Sequence, residues 1–162
     1  MSDRDRPISE PLVAVIEDPA GSTVRHVIDP VTGAWVTYRH PHARSPWPTA
    51  YGYLPGTYNP TDGDALDVLV LASQPLQTGQ RVPVRPIGVF LRPDGDHKVL
   101  AVHCGDPHYG TIAELTEVPP AVLRAIEAWF AEWDTVLGWA GADAARALIA
   151  PAARVGGTVE HA

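Results

Sequence analysis

Residues 61 to 71 read TDGDALDVLVL, three aspartates within six positions followed at once by an unbroken apolar run. Asp62-Gly63 is a turn signal, and Val68 to Leu71 reads as a buried strand. Alternate side chains of an extended segment share a face, which places Asp62 beside Asp64. A kink after Gly63 or Ala65 would bring Asp67 round to join them. Carboxylates that close repel one another unless one keeps its proton, so the group calls for a cation. An all-oxygen donor set suits Mg²⁺ or Mn²⁺. A helix-loop-helix calcium site is excluded: its sixth position needs Gly and its twelfth Glu, where this chain has Asp67 and Ser73. A solvated Asp-Gly turn remains open on spacing alone.

Outward from this stretch the chain shows short β-type runs punctuated by Pro and Gly. They span Leu12 to Ile16, Val24 to Ile28, Ala34 to Tyr38, Arg81 to Leu91 and Lys98 to Val102. Asp29-Pro-Val-Thr-Gly33 predicts a hairpin turn between the second and third, and Asp94-Gly-Asp96 predicts another turn. Between Tyr38 and Asp62 lies a long, irregular, ordered loop carrying five prolines. After Pro119-Pro120, apolar residues recur at helical spacing through Trp133, and a shorter helix is expected from Ala142 to Ile149. The fold class is therefore α+β, an antiparallel, barrel-like sheet with two helices late in the chain.

The length of 162 residues fits one domain, with its core at about 12–150 and frayed termini. No apolar run reaches the roughly 20 residues of a membrane span, and the polar, Pro-containing start lacks an export signal. A single cysteine, Cys104, expected as core filler, fits a reducing cytosol. The net charge of −7, without a Lys/Arg cluster, argues against a nucleic-acid partner and leaves phosphate open as a substrate. Lys98 is the sole lysine among 12 basic residues, a hint that its position needs a compact ammonium.

Asp94 and Asp96 repeat the Asp-Gly-Asp theme just before Lys98, so five carboxylates are candidates to converge on one end of the barrel, with Glu17 a sixth. Arg25 and Arg39 flank the predicted hairpin as a pair aimed at one anion, or as ordinary surface ion-pair partners. Metals held by carboxylates with Arg and Lys alongside are the equipment for phosphoryl transfer to water.

Tyr51-Gly52-Tyr53, Asp62 to Val68 and Arg85-Pro-Ile-Gly-Val89 resemble the soluble, family I inorganic pyrophosphatases, with likeness from about Leu12 to Ile149. The resemblance implies a five-stranded, OB-like barrel, Mg²⁺-dependent cleavage of pyrophosphate into two phosphates (Mn²⁺ as an alternative ion), a cytoplasmic enzyme and a homo-oligomer, a hexamer in many bacterial members. By matched position it implies that Asp62, Asp67 and Asp96 hold a first metal, with Asp67 bridging to a second. Asp94 and Asp96 would take a third. Glu17 would order water around the metals, and Asp64 would be the base. Arg25, where the family usually has Lys, would clasp the phosphates with Arg39, Tyr51 and Lys98.

Three positions depart from that pattern. Val27 stands where the family has a metal-binding Glu, and Trp133-Asp134 stand where it has Tyr-Lys gripping the leaving phosphate. A phosphate facing Asp134 would cost on the order of 1 to 4 kcal/mol in a partly screened site. Trp133 and Asp134 leave two further readings: an organic, nucleotide-like diphosphate as substrate, or a non-catalytic binding protein. On periodicity Trp133 finishes the helix's core stripe. His40, His42 and His97 are candidate Mn²⁺ or Zn²⁺ ligands against the commoner solvated loop histidine, and Trp35, Trp47 and Trp139 are expected in packing or subunit contacts.

Overall fold

The computed structural model describes residues 12–150. Strands β1 (Leu12–Asp18), β4 (Ala50–Asn59), β5 (Asp64–Leu71), β7 (Lys98–His103) and β6 (Arg81–Phe90) follow one another in that order, and β1 also pairs with β6, closing a five-stranded barrel. Strand β8 (Trp139–Gly141) extends the sheet beyond β6, while β2 (Val24–Ile28) and β3 (Trp35–Arg39) form a separate two-stranded ribbon. Helix α1 (Pro120–Ala131) follows, and residues 142–150 form α2. Among the described residues no helix is long and apolar enough to cross a membrane.

Two corrections concern the sheet. Strands β5 and β7 run parallel, Val68 facing Val99 and Val70 facing Ala101, so the barrel is mixed rather than antiparallel. The stretch expected to be an irregular loop contains the ten-residue β4. Its ladder to β5 breaks between Leu54 and Asn59, around Pro55 and Gly56. Across the break the Thr57 hydroxyl accepts the Leu66 N–H and donates to the Leu54 carbonyl. The rest of the stretch is pinned to α1: Glu132 accepts the Arg44 and Ser45 N–H groups, and the Trp129 indole donates to the Ser45 carbonyl.

Period-two alternation splits the apolar residues between two cores. Leu66, Val68 and Val70 of β5 fill the barrel with Ala14, Ile16, Val82, Val99 and Ala101. Leu69 and Leu71 face outward and pack with Leu100, Val102, Ile126, Trp129 and Phe130 beneath α1. Cys104 is half-buried at the edge of this arrangement rather than within a core. A fully hydrogen-bonded Asp106 anchors the loop after β7: burial pushes its pKa up, but the Ser73, Tyr109 and His108 N–H groups and the Ser73 hydroxyl outweigh that and hold it at about 2.

Strands β1 and β4 approach closely at Gly52, where a Cβ would lie 2.0 Å from the Val15 carbonyl oxygen. That contact is with backbone of the barrel wall, which cannot swing aside. Gly52→Ala is therefore expected to destabilise the fold by about 3 kcal/mol or more, read as a lower urea midpoint in chemical denaturation.

Candidate active site

The site lies on the barrel's outer wall. Asp67 precedes Leu69 by two residues on β5 and Lys98 precedes Leu100 by two on β7, so both continue the outward-facing rows that run under α1. Tyr51 of β4 joins the same face. Polar side chains at the open end of an apolar row are half desolvated, which strengthens charge–charge interactions among them.

Asp62, Asp67 and Asp96 each offer a carboxylate oxygen, and these atoms all lie within 4.8 Å of one another. Asp62 comes from the turn before β5, whose left-handed Gly63 lets the chain reverse while the Asp62 carboxylate accepts the Asp64 N–H. Asp96 comes from the turn before β7. The Lys98 ammonium, buried at 5% exposure, donates to Asp67 at 2.6 Å and Asp96 at 2.9 Å. Burial raises the Asp62 pKa and the nearby Asp96 and Asp67 charges add to the rise, against the Asp64 N–H and Lys98, which lower it. Asn59, which sequence reading passed over, donates its side-chain amide to Asp96 at 2.7 Å, and its own Oδ1 accepts the Thr61 N–H. Asp94 is exposed outside this trio and accepts the Asp96 N–H within its own turn.

Beside the trio opens a cavity of about 470 Å³ lined by Glu17, Arg25, Val27, Tyr38, Asp64 and Asp67, among others. A bulge in β1 builds its floor. Ile16 faces Gly52 and Asp18 faces Tyr51, leaving Glu17 as the extra residue. Glu17 reaches the cavity and lies 4.0 Å from the Arg25 guanidinium. Burial pushes its pKa to about 7, with Asp67, Asp18 and Asp64 adding to the rise and Arg25 opposing it. Arg25 is ion-paired with the buried Asp18 and lies over the Tyr51 ring, 5.1 Å from its centroid. The Tyr51 hydroxyl pKa is raised well above its ordinary value, by burial and then by the Asp67 charge. Asp64 is exposed at the cavity rim, with one oxygen accepting the Ala65 N–H.

Arg39 does not join Arg25. The ribbon pairs Arg25 with Tyr38 and Val24 with Arg39, one rung apart, so the two arginines project from opposite faces. Arg39 lines a separate cavity with Val24, His40, His42 and Arg44.

The Asp134 mismatch resolves inside the protein. Arg92, 7% exposed, donates to Asp134 through Nε at 3.2 Å and Nη2 at 2.6 Å. That bond, aided by the Thr135 N–H, lowers the Asp134 pKa. Arg92 also lies 4.8 Å from the Trp133 ring centroid, and His42 stacks on Trp133. Asp134 thus presents a neutralised pair, not a bare carboxylate, and Trp133 finishes an aromatic cluster as its periodicity predicts. Two of the histidines have backbone partners: His40 Nδ1 accepts the His42 and Ala43 N–H groups, and His97 Nδ1 accepts the Arg92 N–H. Trp47 is buried between Tyr51 and Trp129, and the Trp139 indole bonds Glu127.

The family model for inorganic pyrophosphatase matches residues 14–154. An inorganic pyrophosphatase of Leifsonia xyli is 34% identical over 146 residues, covering 83% of this chain and 89% of that protein. The crystal structure of an Ehrlichia chaffeensis inorganic pyrophosphatase superposes with a TM-score of 0.81 at 30% identity, covering 91% of this chain and 96% of that one. One from Thermus thermophilus gives 0.80 at 32%, with 93% and 94% covered. A closed barrel, an aspartate trio on its outer wall and likeness along most of both chains agree, and the chain belongs to the inorganic pyrophosphatase family.

Proposed function

We infer that the chain hydrolyses inorganic pyrophosphate to two phosphates with a divalent cation, Mg²⁺ in preference to Mn²⁺, held by Asp62, Asp67 and Asp96. The observation that carries this reading is the convergence of those three carboxylates, two of which, Asp67 and Asp96, share the buried Lys98 ammonium. The donor set fits a hard cation: it is all oxygen, comes from three separate positions, and already draws positive charge out of water. Such a cation, when bound, acts as a Lewis acid that lowers the pKa of a water and neutralises phosphate charge.

The protein's own groups do the rest. Asp64, at the rim of the cavity and free of any cation within bonding distance among the described residues, is placed to accept a proton from the attacking water. Arg25 offers N–H donors to phosphate oxygens from one side of the cavity. Lys98 supplies a point charge beside the aspartate trio, and Tyr51, whose ring centroid lies 5.1 Å from the Arg25 guanidinium and 6.0 Å from the Lys98 ammonium, keeps its hydroxyl protonated next to Asp67 as a further donor. Asn59 fixes the orientation of Asp96. Glu17, neutral or charged near pH 7, is suited to ordering water beside the acids. Val27 brings no ligand atom to the cavity, so an additional cation there has one donor fewer than the family pattern implies. Arg39, on the other face of the ribbon, takes no part in this grip. Asp94 is reserved for a further cation arriving with substrate. The reading carries with it a one-domain cytoplasmic enzyme that assembles as a homo-oligomer, with a hexamer as the expected size. An organic diphosphate is disfavoured because Trp133 is packed between His42 and Arg92 and Asp134 is already ion-paired.

Phosphate release from pyrophosphate should require Mg²⁺ or Mn²⁺ and exceed that from nucleoside diphosphates. Asp64→Asn should lower kcat by about 10² or more in a colorimetric phosphate assay, and absence of release with every divalent ion would overturn the reading.

Glu17 yields a second expectation. Its folded pKa of about 7 lies above the ordinary glutamate value of 4.5, so between those limits the folded, metal-free state binds more protons than the unfolded one. Stability from this group therefore falls as pH rises through the window, by roughly 3 kcal/mol in total. Urea unfolding in EDTA should show that decline in the wild type and a flatter profile in Glu17→Gln, whereas parallel profiles would refute the assignment. Mg²⁺ should stabilise the wild type more at pH 7.5 than at pH 5, because the ligands must be ionised to bind it.

A further inference from the structure

We propose that Asp18 is a positioning residue for the reaction, one that holds the Arg25 guanidinium in its substrate-binding place. This rests on the reading of Arg25 as a phosphate-gripping group. The Asp18 carboxylate is wholly inaccessible to solvent, a location that is costly for a charge without partners. Its partners all come from the start of the β2–β3 ribbon. Oδ2 accepts from Arg25 Nη1, and Oδ1 accepts from the His26 N–H at 2.7 Å and faces His26 Nδ1 at 2.9 Å. One buried anion therefore ties two consecutive ribbon residues, by both backbone and side chain, to β1 of the barrel.

That tie matters because the ribbon has little else to fix it. It is a two-stranded sheet of its own, every residue of β3 is exposed, and such hairpins are marginal in isolation. Its base is joined to the Trp47 segment by backbone bonds from Gly21 to Trp47 and from Trp47 to Ser22, but these lie before the strand begins. At Arg25 itself the guanidinium rests over the Tyr51 ring and near Glu17, but its hydrogen-bonded fastening is the buried Asp18 carboxylate. The β1 bulge makes the arrangement possible, because the extra residue Glu17 lets two successive carboxylates serve the same side of the barrel. Glu17 meets the cavity and Asp18 meets the arginine from behind. With Nη1 committed to Asp18, the guanidinium keeps other N–H donors for a ligand in the cavity that Arg25 lines. An arginine offers a planar fork whose usefulness depends on orientation, so it gains from a buried carboxylate that sets that orientation.

The test is steady-state kinetics with Mg²⁺ and pyrophosphate on Asp18→Asn, Arg25→Met and the double variant, with thermal melting of each. Asp18→Asn, nearly isosteric, should raise KM by roughly ten- to a hundredfold while kcat changes by less than about threefold, the signature of lost binding rather than lost chemistry. In the Arg25→Met background the same change should leave KM unaltered, since there is no guanidinium left to place. A merely structural Asp18 would lower the melting temperature but raise KM equally in both backgrounds, or in neither, and either result overturns the proposal. If Arg25→Met alone leaves KM unchanged, the phosphate-gripping role of Arg25 fails and the proposal falls with it. If Arg25→Met raises KM and Asp18→Asn does not, only the role of Asp18 fails. Should Asp18→Asn not fold, Asp18→Glu keeps the charge and displaces it by one methylene: a raised KM supports positioning, and an unchanged KM contradicts it.

Discussion

Everything distinctive about this chain follows from holding like charges together on a half-desolvated wall. Asp62, Asp67 and Asp96 approach to within 4.8 Å with Glu17 and Asp64 nearby, an arrangement that electrostatics opposes at every pH where the acids are ionised. The protein meets that opposition with cations of its own. Lys98 bridges two members of the trio, Arg25 stands over Tyr51, and a proton is retained by Glu17 up to about pH 7. The same wall therefore carries both the crowded negative charge and the compensation that lets it fold without a bound ion.

The barrel is what makes the crowding geometrically possible. In the parallel pair β5–β7, Val68 faces Val99, which sets Asp67 beside Lys98. The turns before β5 and β7 then deliver Asp62 and Asp96 to the same end. Buried rows of Leu69 and Leu100 beneath α1 fix the strands that carry these groups, so their positions are inherited from apolar packing rather than from the polar contacts themselves. A second compensation sits where the aromatic cluster ends. Arg92 shields Asp134 and lies against Trp133 and Phe130, so an acid at that position adds no net charge locally.

Much of this was legible in the sequence because it was written at short range. The aspartate spacing, the Asp-Gly-Asp repeat and the solitary lysine needed only local geometry to read, as did the stripe from Val122 to Trp133. What escaped depended on pairing between distant segments. Strand direction leaves no trace in a run of apolar residues, so the parallel β5–β7 pair was invisible. Strand β4 was hidden because Pro55 and Gly56 interrupt it at a break that Thr57 repairs. Arg25 and Arg39 were aligned by symmetry about a turn, but the true register sets them one rung apart. Asp18 carries no local signal because its partners Arg25 and His26 lie on another strand, and Arg92 meets its acid 42 positions along the chain.

The parallel pairing also governs when the aspartate-bearing face can first exist. Strand β5 must wait for β7, which follows the whole of β6, and the barrel shuts only when Leu12 at one extreme meets Val84. Contacts so remote along the chain are slow to assemble, because closure entropy is spent before they repay it. A growing polypeptide on the ribosome therefore carries Asp62 and Asp67 as an ordinary hydrated turn and strand. The complete aspartate trio arises only after Asp96 and the strand behind it have emerged.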